Sequence, residues 1–138
     1  MKYAFLDTGY LIALNASDDQ HHFAAQQHWQ EFLKYKPLLV TTSYIFDEVT
    51  TFFNTRNRHA KAVEIGKNLL QSQSITFRHV DKELFDAGWK KFQIYSDKRY
   101  SLTDCISFET MERERIRHAL SFNDHFEQAG YINFPTRS

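Results

Sequence analysis

Tyr3-Ala4-Phe5-Leu6-Asp7-Thr8-Gly9 decides how the rest of the chain is read. Tyr3 to Leu6 is apolar without alternation, as a short strand buried on both faces would be. Asp7 closes the run, Thr8-Gly9 breaks it, and Tyr10 to Leu14 starts a short helix. A strand buried on both faces needs strand neighbours on its edges and helices above and below.

The sequence downstream supplies them. Asp18 and Asp19 are suitable caps for a helix over about Gln20 to Lys36, where Ala25, Trp29, Phe32 and Leu33 keep the helical period and Pro37 ends it. Leu38 to Thr41 is the second strand. Ser43 suits the N-cap of a helix reaching about Thr55. A helix fits His59 to Gln71 and a third strand Ile75 to Val80. Asp81 caps a helix to about Tyr95. Ser101-Leu102-Thr103-Asp104 matches the S-x-x-D capping signature, with a helix to about Glu114. His118 to Ser121 is a fourth strand, Asp124 to Gln128 a short helix and Tyr131 to Phe134 a last strand. Strand and helix alternating at this spacing give an α/β fold: a three-layer α/β/α sandwich around a central parallel sheet. Residues 1–138 read as one domain, since nothing resembles a linker, a repeat or a low-complexity tract.

Composition narrows the function. Thirteen Phe, seven Tyr and two Trp are enough for a single core and argue against disorder. Seventeen basic residues balance seventeen acidic ones, which excludes a protein that holds nucleic acid by bulk positive charge. One cysteine leaves no internal disulfide framework and no Cys-rich zinc site, and fits a reducing compartment. No apolar stretch approaches the ~20 residues that span a bilayer. Asp7 and Asn15 interrupt the apolar stretch Tyr3 to Ala16, so a secretory signal is not expected. The expectation is a cytoplasmic protein with no membrane partner.

In such sheets a ligand binds outside the carboxyl ends of the strands. Asp7 ends the first strand, Asp124 lies just past the fourth, Asp104 opens a helix, and Glu48 sits in the second turn after the second strand. In that helix Ile45, Phe46, Val49, Phe52 and Phe53 mark one apolar face. At 100° per residue Asp47 points roughly 170° from its centre and Glu48 roughly 90°. Asp47 then faces solvent, and Glu48 lies at the margin, where it can lean into a cleft. Carboxylates gathered a few ångströms apart repel, and one takes up a proton unless a cation relieves the conflict. Mg²⁺ or Mn²⁺ prefers such oxygen ligands and suits phosphodiester hydrolysis. Asp104 and Asp124 also suit helix termini on dipole grounds alone, so a capping role stands beside the metal-binding one.

These residues resemble a known family. Tyr3 to Thr8 resembles the opening strand of a PIN-domain nuclease. Thr41-Thr42-Ser43-Tyr44-Ile45-Phe46-Asp47-Glu48-Val49 is similar to its second acidic motif, with Glu48 in the acid position. Ser101 to Phe108 is similar to the third motif and Ser121-Phe122-Asn123-Asp124-His125-Phe126 to the fourth, although Ser121 and Phe122 replace its usual small residues. The resemblance implies a Rossmann-like sheet and a small Mg²⁺-dependent ribonuclease of the VapC toxin type, in which Mn²⁺ substitutes. It implies that Asp7, Glu48, Asp104 and Asp124 hold the ion and that an ion-activated water cleaves RNA to leave a 5′-phosphate and a 3′-hydroxyl. It also implies a homodimer and an antitoxin that covers the acidic pocket. Thr8, Thr103 and Ser121 are candidates to hydrogen-bond the carboxylates or the water, and Asn123 to replace or support Asp124. The alternative is a PIN-like module that binds RNA or protein without cutting. A phosphohydrolase of the haloacid dehalogenase type also ends its first strand in Asp, but needs a second Asp where Gly9 stands.

Arg56, Arg58 and Lys61, and separately Lys98-Arg99-Tyr100, are candidates to hold RNA phosphates, with Tyr100 stacking on a base. A solvated basic surface is the plainer reading of both groups. Glu112 to Arg117 reads as a solvent-facing, salt-bridged helix end. Seven histidines carry no zinc-site spacing, and Cys105 reads as a small buried residue.

Overall fold

The structure is a computed structural model and describes residues 3–136. Five strands, β1 (Tyr3–Leu6), β2 (Leu38–Thr42), β3 (Ile75–Arg78), β4 (His118–Leu120) and β5 (Ile132–Phe134), form one sheet in the order β3-β2-β1-β4-β5. Every pairing is parallel. Seven helices connect and cover them: α1 (Thr8–Asn15), α2 (His22–Leu33), α3 (Ser43–Asn54), α4 (His59–Gln71), α5 (Lys82–Ile94), α6 (Leu102–Glu114) and α7 (Asp124–Gln128). The chain winds from β1 outward to β3, then crosses back over the sheet to β4 on the other side of β1. With right-handed crossovers, that reversal puts α1–α4 on one face and α5–α7 on the other. The helices pack accordingly: α1 on α2 and α3, α3 on α4, α5 on α6, and α6 on α7. The three-layer α/β/α sandwich is the one read from the sequence.

The opening strand lies at the centre. Ala4, Phe5 and Leu6 are wholly buried between β2 and β4, with Phe5 opposite Val40 on one side and Ala119 on the other. The sheet reverses its strand order between β1 and β4, which opens a crevice at their carboxyl ends.

Several ends differ from the sequence reading. Thr42, and not Ser43, caps α3, accepting a hydrogen bond from the Ile45 amide. Ser43 is the first helical residue, and its hydroxyl accepts from the Val80 amide instead. The second helix runs from His22 to Leu33, shorter than Gln20 to Lys36, because Asp18 pairs with Arg58 and Asp19 accepts from the His21 amide ahead of the helix. Asp81 and Ser101 cap α5 and α6 as expected, Ser101 within a reciprocal capping box with Asp104. The ion pairs at the end of α6 reach outward, Glu114 to Arg78 and Arg113 to Glu83, rather than along the run itself.

Gly88 lets α5 lie against α6. A Cβ there would stand 2.5 Å from Ile106 Cγ1 and 3.2 Å from Ile106 Cα. The backbone contact cannot be relieved by a rotamer change, so overpacking outweighs the gain in helix propensity. Gly88→Ala should lower unfolding free energy by about 1–3 kcal/mol, read as a lower urea midpoint. Gly9→Ala, which meets nothing within 4 Å, should leave the midpoint unchanged or raise it. Equal midpoints for Gly88→Ala and the parent protein would contradict the packing argument.

Candidate active site

Asp7 follows β1 directly and is buried at the crevice. Its backbone amide donates to the Leu120 carbonyl at 3.1 Å, which continues the β1–β4 pairing by one residue. Ser121 directly follows β4, and its hydroxyl donates to Asp7 Oδ2 at 2.8 Å. The same hydroxyl accepts from the Asn123 amide at 2.9 Å, so its proton can point only to Asp7. One residue after Asp7, the Thr8 hydroxyl donates to Glu48 Oε1. Glu48 is exposed on the rim of α3 and is drawn toward the crevice by that bond. Asp47, its neighbour, faces solvent as its helical phase requires.

Asp104 approaches from the other face of the sheet, in the first turn of α6, and is buried. Its Oδ2 accepts from the Ser101 amide at 3.0 Å and from His125 Nδ1 at 2.7 Å. A carboxylate only accepts, so that proton sits on Nδ1. Both bonds fall on one oxygen, and Oδ1 is spared. The sequence posed capping and site roles for Asp104 as alternatives, and the geometry lets one carboxylate serve both.

Burial drives the Asp7 carboxyl up to about 7 from an ordinary value of 3.8. The Ser121 hydroxyl and the Thr8 amide pull it back, and repulsion from Asp104 and Glu48 pushes it further up. The three acids therefore share one electrostatic neighbourhood. Among the described residues, no three acidic, histidine or cysteine side chains close into a ready-made cage for an ion. The donor set is all oxygen, and one member is a buried carboxylate whose ionisation is opposed by two others. That set fits a hard divalent cation, whose charge would remove the opposition.

Asp124 is the first residue of α7 and is exposed. The charges that weigh on Asp7 are those of Asp104 and Glu48. Asn123 occupies the inward corner instead. Its Oδ1 caps α7 through the His125 amide at 3.0 Å, and its carbonyl accepts from Asn133 Nδ2 at 3.0 Å. Among the described residues Thr103 holds none of the acids; Thr8 and Ser121 do. His125 was missed as a partner of Asp104. Its signal was its place two residues after the Asn123 cap, which turns the imidazole back over the start of α6.

The basic candidates are mostly engaged. Arg58 makes two hydrogen bonds to Asp18, at 3.1 and 3.0 Å. The Arg56 guanidinium lies 3.7 Å above the Phe52 ring, and Lys61 stands 3.5 Å from Glu64. Tyr100 is buried against Phe108 and His125, so it offers no face for a base and that expectation is corrected. Lys98 and Arg99 are exposed. Cys105 is buried as expected, and burial pushes its thiol up to about 11.

The family model for the PIN domain matches residues 4–131. The chain belongs to the PIN-domain family. Among solved structures, this PIN domain is similar to VapC20 of Mycobacterium tuberculosis, a toxin that cleaves the sarcin–ricin loop. The two are 27% identical with a TM-score of 0.84, over 94% of this chain and 96% of that one. It also shares its fold with a chain of a toxin–antitoxin complex from Klebsiella pneumoniae, at 15% identity and a TM-score of 0.58 over 88% of this chain and 87% of that one. No curated protein matches the sequence. Among the described residues no helix is long and apolar enough to cross a membrane.

The raised Asp7 carboxyl has a consequence for stability. The folded PIN domain keeps a proton that the unfolded chain releases near pH 4. This group's stabilisation is therefore complete below about pH 4 and is lost as pH rises through about 7. Asp7→Asn should abolish that dependence. In EDTA its unfolding free energy should match that of the parent protein near pH 4 and exceed it increasingly as pH rises to about 7, by an amount on the order of a few kcal/mol. A constant difference from pH 4 to pH 8 would show that Asp7 ionises normally.

Proposed function

We propose that this PIN domain is a divalent-metal-dependent ribonuclease of the VapC toxin type. The observation that supports the reading is the buried Asp7 carboxyl at the strand reversal, whose charge is opposed by those of Asp104 and Glu48. The likeness to a toxin that cleaves the sarcin–ricin loop supports the same chemistry.

Asp7, Glu48 and Asp104 are the residues to hold the ion. Mg²⁺, or Mn²⁺ in its place, would supply positive charge that makes water nucleophilic at neutral pH and offsets charge on the phosphoryl group. The protein's own part is orientation. Ser121 fixes Asp7, Thr8 fixes Glu48, and Ser101 with His125 fixes Asp104 by one oxygen. Asn123 contributes a neutral corner where a fourth carboxylate was expected, and Asp124 a solvent-facing charge. Of the basic candidates, Lys98 and Arg99 are exposed and open to phosphates. As a toxin of this type the protein would act in the cytoplasm, be restrained by a cognate antitoxin and pair with a second copy. The exposed apolar side chains Trp89, Phe92 and Ile94 on α5 offer area for such contacts.

The three-acid site also favours a second reading, a module that binds RNA without cutting it. Cleavage separates the two. A sarcin–ricin-loop RNA hairpin should be cut in Mg²⁺ and spared in EDTA. Asp7→Asn and Asp104→Asn should abolish cutting, and Ser121→Ala should slow it about 10- to 100-fold. Asp124→Asn should cost far less than either. An Asp7→Asn protein that cuts as fast as its parent would refute the nuclease reading, and RNA bound but never cut would favour the second one.

A further inference from the structure

Three rings form a stack beside the crevice. Tyr10 is wholly buried, and its hydroxyl lies 2.7 Å from His28 Nδ1, which fixes the ring. Phe122 lies nearly parallel to it, with centroids 5.8 Å apart and planes 15° apart. His21 covers Phe122 at 4.3 Å and 4°. The stack is tied to the acidic site at two points. Phe122 directly follows Ser121, which holds Asp7, and Tyr10 comes two residues after Thr8, which holds Glu48.

His21 breaks a local rule. It occupies the N-cap position of α2, where Ser, Thr, Asp or Asn would satisfy an open amide, yet its side chain makes no capping bond. Its ring nitrogens make no hydrogen bond among the described residues, and its backbone amide is satisfied by Asp19 at 2.9 Å. Local rules yield most readily at functional positions. Half-buried, the imidazole covers Phe122 with one face and leaves the rest partly open.

The charge of the protein gives the stack a purpose. The net charge is zero, and Arg56, Arg58 and Lys61 already have partners, so phosphate contacts alone are a weak source of RNA affinity. Aromatic faces bind any unpaired base without needing charge, at about 1–3 kcal/mol per base. We propose that His21, backed by Phe122 and Tyr10, is a stacking platform for an unpaired nucleobase next to the phosphate that the acidic site engages. The proposal rests on the ribonuclease reading. Stacking of this kind holds ground state and transition state alike, so it shows in KM and leaves kcat alone.

The experiment compares the parent protein, His21→Ala and His21→Phe on the sarcin–ricin-loop hairpin in Mg²⁺. His21→Ala should raise KM about fivefold to 150-fold with kcat unchanged, the span set by one stacked base. His21→Phe, which restores a ring, should return KM to the parent value. An unchanged KM in His21→Ala, or a loss confined to kcat, overturns the platform while leaving the nuclease standing. If the parent does not cut, the nuclease reading falls, and binding of a single-stranded RNA oligonucleotide carrying 2-aminopurine decides the platform alone. Fluorescence quenching by the parent that His21→Ala loses supports it, and no quenching, or equal quenching, overturns it.

Discussion

A carboxylate at the end of a buried strand is the constraint around which the rest is arranged. Asp7 sits where β1 emerges from between β2 and β4 and is itself buried, so its charge is poorly solvated and is opposed by Asp104 and Glu48. A residue of this kind weakens a fold unless something at the site uses it. The neighbours are arranged around it. Ser121 donates to one oxygen, the Thr8 amide softens the penalty, and the Thr8 hydroxyl turns away to hold Glu48. Each hydroxyl sits within two residues of a strand end, so the sheet itself fixes their spacing.

The sheet and the three acids that share it were legible because they depend on short-range rules. Unbroken apolar runs marked buried strands, and helical phase separated Glu48 from Asp47. The Ser101–Asp104 signature located the start of α6 and, with it, a carboxylate whose orientation the capping box dictates. Errors came where two residues competed for one place. Thr42 and Ser43 are both good caps, and the extended backbone of Thr42 decides in its favour. Asn123 and Asp124 compete in the same way. The cap of α7 must be the residue just outside the helix, and that turns Asn123 inward and Asp124 out. Tyr100 looked like an RNA contact because basic residues precede it, but its ring fills a space against Phe108 that no sequence pattern announces.

His125 and His21 show the limit of reading histidines by motif. Neither belongs to a metal spacing, yet each has a definite place: one donates to Asp104 at 2.7 Å, the other lies flat on Phe122. Both contacts join stretches that are distant in sequence, α7 to α6 and the start of α2 to the end of β4. Only the folded sheet brings them together.

The bond between Asp7 and Ser121 joins residues 114 positions apart. During synthesis Asp7 emerges long before its hydroxyl partner, the β4 strand beside it and the α7 histidine. A nascent copy therefore carries no finished centre until the chain has been made past His125, and such long-range closure is slow to form.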